Sequence, residues 1–336
     1  MNVTDGQSRP EPTVTVVIPA YMNSKLTNEA LESVRSQIYT DYEIILVDDC
    51  SDEETVRGYC LDGVQLIRRE IRGGCGAARN SAFRVAKGRY IAMLDSDDIW
   101  LPDYLENQVR ALEADPEVGL AYCHVTIVDQ DLKPLDRQPA LRILGDDAFQ
   151  RMLGGNRIKT PSVVVLRREV LERCGMFDEA QVGAEDWEMW IRVTHAFKVH
   201  ADPARRVLYR THPNQLTKNR IRSREADVRV YLTALAWART EAPEAVETIM
   251  TGLSHALHRL ASQQARRIGL IKAARTLGRA IALCPTDLRC YLYVPGLIFY
   301  TLHPRYMKEK AERKKQVLLG LMASDELEHA LDNLRR

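Results

Sequence analysis

The chain has 336 residues, enough for one large domain and a smaller companion, and at 45% hydrophobic and 28% charged it reads as globular. Its net charge of +1 is unevenly spread: residues 1–200 hold 23 Lys+Arg against 33 Asp+Glu, and residues 201–336 hold 24 against 13. The basic C-terminal third points to an anionic partner, a membrane surface or a phosphorylated ligand, while the absence of a basic motif interleaved with aromatics argues against nucleic acid.

Residues 1–12 are polar with two prolines and form a tail. The β-branched run Val14 to Ile18 predicts a strand stopped at Pro19, then the loop Ala20, Tyr21, Met22, Asn23 and a helix over 27–37. A second strand over 42–48 ends in Asp48, Asp49, Cys50, Ser51, Asp52, with a helix following to about Tyr59. A short strand at 64–67 precedes the glycine-rich turn Arg72 to Asn80, which opens a helix over 77–86. The apolar run Tyr90 to Leu94 is then a buried strand ending on Asp95, Ser96, Asp97 and Asp98. Strands alternating with helices over so short a stretch specify a parallel sheet with right-handed crossovers. Further on, a helix is predicted at 102–113, strands at 119–128 and 160–166, a short helix at 167–174, a helix opening with Glu185 and Asp186, and a strand at 207–212. From residue 219 strands vanish and helices are predicted at 223–240, 243–261 and 263–283.

Carboxylates just past the C-terminal ends of central strands sit on the rim where open α/β sheets bind ligands. Asp95 and Asp97, one residue apart, can aim at one hard cation such as Mg²⁺ or Mn²⁺, which in turn grips a diphosphate. The competing reading makes Asp97 and Asp98 caps for the next helix. Gly74-Cys-Gly76-Ala-Ala-Arg79 has arginine where a dinucleotide fingerprint needs its third glycine, and it lacks the Gly-Lys-Ser/Thr ending of a P-loop. It reads instead as a tight helix entry, with Arg79 and backbone N–H groups facing an anion. Seven cysteines without Cys-x-x-Cys spacing argue against a disulfide framework or zinc site and for a reducing compartment. The polar N-terminus is no signal peptide, and no apolar run reaches the ~20 residues of a membrane span. The expected location is cytoplasmic, with peripheral contact to the inner membrane face through the basic residues 305–315 as an option.

Taken in order, the blocks Val14 to Tyr21, Ile44 to Asp52, Gly73 to Asn80, Gly88 to Asp98 and Glu185-Asp186 resemble the family 2 glycosyltransferases, whose nucleotide-sugar-binding fold is of the GT-A type. The resemblance covers roughly residues 13–215, within one domain at 13–218, and says nothing of the helical C-terminal region expected at 219–336. It implies that Pro19, Ala20 and Tyr21 line the nucleotide base, with Asp49 accepting from a uracil or thymine N3–H. Arg79, Asp95, Ser96 and Asp97 complete the donor site, Asp95 facing ribose and metal and Asp97 ligating Mn²⁺ or Mg²⁺ directly. His212 completes the metal site in many relatives, and Arg210 meets the diphosphate. Asp186 resembles the general base, and a place in the first turn of a helix would keep it ionised. Glu185, Trp187 and Trp190 lie on the acceptor side, the tryptophans as either an apolar wall for the acceptor or core. The implied reaction is inverting transfer from a UDP- or dTDP-sugar to a hydroxyl of a carbohydrate or lipid-linked acceptor in cell-surface polysaccharide, lipopolysaccharide or glycolipid assembly, and a non-catalytic nucleotide-sugar-binding scaffold is the alternative. Two departures fall by the base pocket: Cys50 stands where relatives have glycine, and Met22 separates Tyr21 from Asn23.

Overall fold

The computed structural model describes residues 11–212, 215 and 219–283. Residues 305–315, on which the expectation of membrane contact rested, lie outside them. The chain divides into two compact units. The first comprises residues 1–152, 156–180 and 185–213, and the second 153–155, 181–184 and 214–336.

The first unit is built on an eight-stranded sheet in the order β3-β2-β1-β4-β7-β6-β8-β5. Strands β1 (Val14–Ala20), β2 (Tyr42–Asp48), β3 (Val64–Arg68) and β4 (Tyr90–Met93) run parallel, as the strand–helix alternation requires. Helices α1 (Ser24–Arg35), α2 (Glu53–Arg57) and α3 (Gly74–Phe83) connect them. Val14, Val16, Val17, Ile18, Leu46 and Ile91 are fully buried, consistent with a central sheet covered on both faces. Gly88 enters β4 where no larger residue fits: a Cβ there would lie 2.3 Å from the Thr15 backbone nitrogen.

The other half of the sheet is mixed, which the sequence did not announce. β7 (Val164–Arg167) pairs antiparallel with both β4 and β6 (Val118–Val128), and β6 runs parallel to the long β8 (Lys198–Arg210). Two strand features escape sequence reading. β5 (Ile99–Trp100) is too short to show a period, and the first half of β8, Lys198 to Arg206, is polar and carries Pro203. β5 also settles the capping question: the next helix, α4 (Tyr104–Ala114), starts after Asp103, so neither Asp97 nor Asp98 caps it. Helices α5 (Ala148–Leu153), α6 (Glu169–Cys174) and α7 (Glu185–Ala196) follow.

The second unit contains α8 (Arg220–Glu241), α9 (Val246–Arg267) and α10 (Leu270–Leu283). On α9, Ile249, Leu253, Leu257 and Leu260 recur at helical spacing and are fully buried. Gly252 on the same helix admits the Tyr231 ring, to which a Cβ would come within 2.3 Å. Among the described residues no helix is long and apolar enough to cross a membrane.

Candidate active site

The parallel strands deliver their C-terminal carboxylates to one rim, but the carboxylates do different jobs. Asp48 is fully buried and spent locally: Tyr59 Oη donates to it at 2.8 Å and Ser51 N at 3.0 Å. Asp49 anchors the glycine turn, accepting from Gly73 N at 2.9 Å, Gly74 N at 2.7 Å and Arg69 Nε at 2.9 Å. Its carboxylate oxygens are thus already engaged where a base N3–H was expected to bind. Pro19 and Ala20 are buried at the end of β1, and Tyr21 is exposed with the Arg72 guanidinium 3.9 Å above its ring. Met22 and Cys50, the two departures, both sit at positive φ, 53° and 71°. The left-handed conformation that glycine adopts freely is therefore held here by residues that pay strain for it.

Past β4 the acidic loop is fastened from several sides. Asp95 accepts from Thr160 Oγ1 at 2.9 Å and is ion-paired with Arg79. Asp98 is fully buried, accepting from Ser162 Oγ at 2.6 Å and Arg210 N at 3.1 Å. Burial, with Asp97 and Asp95 adding repulsion, pushes its carboxyl well above the usual range. Ser96 and Asp97 keep partial exposure, and the His212 Nε2 lies 3.0 Å from Asp97 Oδ2. Burial and Asp95 raise the Asp97 carboxyl too, and the His212 contact opposes them.

Two arginines are placed otherwise than expected. Arg79 does not face an outside anion: only 2% exposed, it bridges Asp95 and Glu185, the latter at 3.2 Å, and lies over the Phe177 ring. Burial works against its charge, but the two carboxylates win and push its pKa further up. Arg210 is equally buried and its guanidinium is committed to the chain itself. It donates to Asp97 O at 3.0 Å, Gln130 O at 2.6 Å and Glu29 Oε2 at 2.6 Å, which orders the acidic loop and takes up the donors a diphosphate would need.

The first turn of α7 follows two left-handed residues, Gly183 at φ 77° and Ala184 at φ 58°, which turn the chain sharply into Glu185 and Asp186. Asp186 accepts from Asn156 Nδ2 at 3.0 Å and keeps partial solvent contact. Its carboxyl is pushed up to about 7, first by burial and then by the Glu185 charge. The expectation that the helix dipole keeps it fully ionised is corrected: desolvation outweighs the favourable helix start. Trp187 and Trp190 are core, not wall. Trp187 is 2% exposed and donates from Nε1 to Met152 O, and the fully buried Trp190 packs edge-on against Phe177.

Asn156, Thr160 and Ser162 were missed by sequence reading. They lie 30 to 67 residues from the groups they hold, and Thr160-Pro161-Ser162 reads only as a strand start. Among the described residues no group of three or more His, Cys, Asp or Glu is arranged as a metal cage. Asp97 with His212 nevertheless offers a hard oxygen and an imidazole at a partly open rim, a donor pair that suits Mn²⁺ or Mg²⁺ when phosphate oxygens and water fill the other positions. Two repelling carboxylates, Asp95 and Asp97, add reason for a cation there.

Comparison with known proteins agrees with this geometry. Residues 15–175 match the family described as Glycosyl transferase family 2. Over this segment the chain is similar to the family 2 glycosyltransferases. An uncharacterized glycosyltransferase of Rickettsia prowazekii is 27% identical over 225 residues, which is 64% of this chain and 69% of the relative. Among solved structures, S. aureus TarS 1-349 superposes with a TM-score of 0.61 at 17% identity, covering 90% of this chain and 92% of that one. The mannosyltransferase PcManGT from Pyrobaculum calidifontis, solved in complex with GDP-Man and Mn²⁺, gives 0.54 at 23% identity, covering 90% of this chain and 84% of that one. The GT-A fold is thus shared, with helices following it, and the domain is that of a transferase.

Proposed function

We propose that this protein transfers a glycosyl group, with inversion, from a nucleoside diphosphate sugar to a hydroxyl acceptor, with Asp186 as general base. The observation that carries the reading is the near-neutral Asp186, pushed to about 7, next to Glu185, which one guanidinium ties to Asp95 on the donor rim. A carboxylate of that basicity can take the acceptor hydroxyl proton near neutral pH, and a group titrating close to the operating pH is the efficient choice. Asn156 aims the carboxylate through its 3.0 Å hydrogen bond. The acceptor oxygen then forms its bond to the anomeric carbon as the bond to the diphosphate breaks, so one displacement inverts the centre.

Asp97 and His212 would hold Mn²⁺ or Mg²⁺, which when bound supplies charge neutralisation at the leaving diphosphate. Tyr21 offers its ring to the base, and the Arg72 guanidinium above it closes one face, so donor entry displaces or joins that cation. Uridine is the first nucleotide to test, with thymidine and guanosine as the next. The assembly of surface polysaccharide, lipopolysaccharide or glycolipid is the process this chemistry would serve on the cytoplasmic side of a membrane.

Calorimetric titration with UDP, with and without Mn²⁺, tests the donor site. Binding that strengthens with Mn²⁺ and is lost in Asp97→Ala is expected. Failure of UDP, dTDP and GDP alike would sink the transferase reading in favour of a scaffold.

A further inference from the structure

A concavity opens next to the proposed base. It has a volume of about 410 Å³ and is lined by Tyr122 to Val125 and Ile127 of β6, by Pro139, Ala140 and Arg142, and by residues Asn156 to Lys159. That volume falls in the range of small-molecule clefts, about 300–1,000 Å³. Asn156 belongs to the pocket wall and to the catalytic centre at once, since its Nδ2 donates to Asp186. A ligand here therefore lies beside the residue that aims the base.

The charge of the lining is one-sided. Arg142, Arg157 and Lys159 contribute cations and no lining residue is acidic. Arg142 spends one nitrogen on Asn156 O at 3.1 Å and Arg157 spends Nε on Arg151 O at 3.1 Å, and among the described residues neither has a carboxylate partner. Lys159 lies over the Tyr209 ring, 4.6 Å from its centroid. His124 also lines the pocket, is 9% exposed, and its Nε2 has no hydrogen-bond partner among the described residues. Burial and the neighbouring Arg205 lower its pKa, against Asp202. Guanidinium groups held without a carboxylate are matched by carboxylate or phosphate oxygens, which they bind bidentately.

We propose that this pocket is the acceptor subsite and that it selects an acceptor bearing an oxyanion, phosphate or carboxylate, on the unit that is glycosylated or on its neighbour. The proposal rests on the glycosyl-transfer reading of Asp186 and adds the substrate class. The anion docks between Arg142 and Arg157, while Asn156 keeps Asp186 directed at the adjacent hydroxyl. A purely structural role for the arginines, propping the loop at 139–142, would call for no ligand charge at all.

The test titrates the full chain with glycerol 3-phosphate, glucuronate and, as neutral controls, glycerol and glucose. Each is repeated with Arg142→Gln and with Arg142→Gln/Arg157→Gln, and UDP is titrated separately into every protein. The expected result is an anionic probe bound at least about tenfold more tightly than the neutral ones, and weakened at least about tenfold by the double substitution while UDP binding stays the same. The stronger of the phosphate and carboxylate arms then identifies the anion. Should the double variant lose UDP binding through misfolding, Arg142→Gln alone, at an exposed side chain, reads the same weakening. Equal binding of charged and neutral probes, or anion binding that ignores both substitutions, overturns the proposal. A wild type that takes the anionic probes but no nucleotide overturns the acceptor role and separately refutes the donor reading.

Discussion

Replacing Asp186 by asparagine separates the two consequences of its burial. The wild-type carboxyl is pushed from 3.8 up to about 7, by burial first and Glu185 second. An acid whose folded pKa is raised holds its proton more tightly folded than unfolded, so its ionisation costs stability. That cost is absent below the unfolded value, grows as pH rises, and is complete above the folded one. Between about pH 5 and pH 7 roughly two pKa units of the shift are crossed, a ceiling of about 2.7 kcal/mol. Partial solvent contact of Asp186 screens the charge and lowers the expected figure to about 1–2 kcal/mol. Asparagine keeps the shape, and Asn156 can still donate to its amide oxygen. Urea unfolding of both proteins at about pH 5 and pH 8 should find the variant gaining ~1–2 kcal/mol on the wild type as pH rises. Transfer should fall by roughly 10²-fold or more while UDP binding is retained. A stability difference that ignores pH refutes the burial argument, and turnover near the wild-type rate refutes the base assignment.

Three further outcomes are expected. Asn156→Ala removes a bond that lowers the Asp186 pKa, so the acidic limb of the pH–rate profile should move to higher pH; an unmoved limb would leave Asn156 a purely structural role. Arg79→Gln leaves Asp95 and Glu185 facing each other without their shared cation, and should cost roughly 3 kcal/mol in urea unfolding together with most of the donor affinity. Cys50→Gly relieves a side chain held at φ 71° at the expense of chain entropy and the Cys50 Sγ contact to Glu70 O, for a net gain of about 0.5 kcal/mol in the free energy of urea unfolding.

The parallel half of the sheet was legible because its signal is local. β-branched runs end in carboxylates, glycines follow, and each helix begins within a few residues of where the pattern puts it. The antiparallel half was not, because β7 gives the same apolar run whichever way it pairs, and the first half of β8 looks like a loop. Direction and neighbour are set by contacts between strands more than seventy residues apart for β4 and β7, and period carries no such information.

At the site, residue type was legible and charge state was not. Asp95, Asp97, Glu185 and Asp186 could be picked out as candidates, yet the setting of each depends on its buried neighbours. Arg79 shows the difference most clearly. In sequence it is a cation behind a glycine turn and invites an outside anion. In the fold, helix α3 sets it under the rim, where the Asp95 and Glu185 carboxylates reach it first. Its charge is then used to hold two acidic segments together that repulsion would separate, and the task of meeting an incoming anion passes to cations without such partners. Arg142 and Arg157 are of that kind, and they line a pocket whose wall includes the residue that aims the base. The proposed selection of an acceptor by charge thus follows from which arginines the fold leaves without a carboxylate among the described residues.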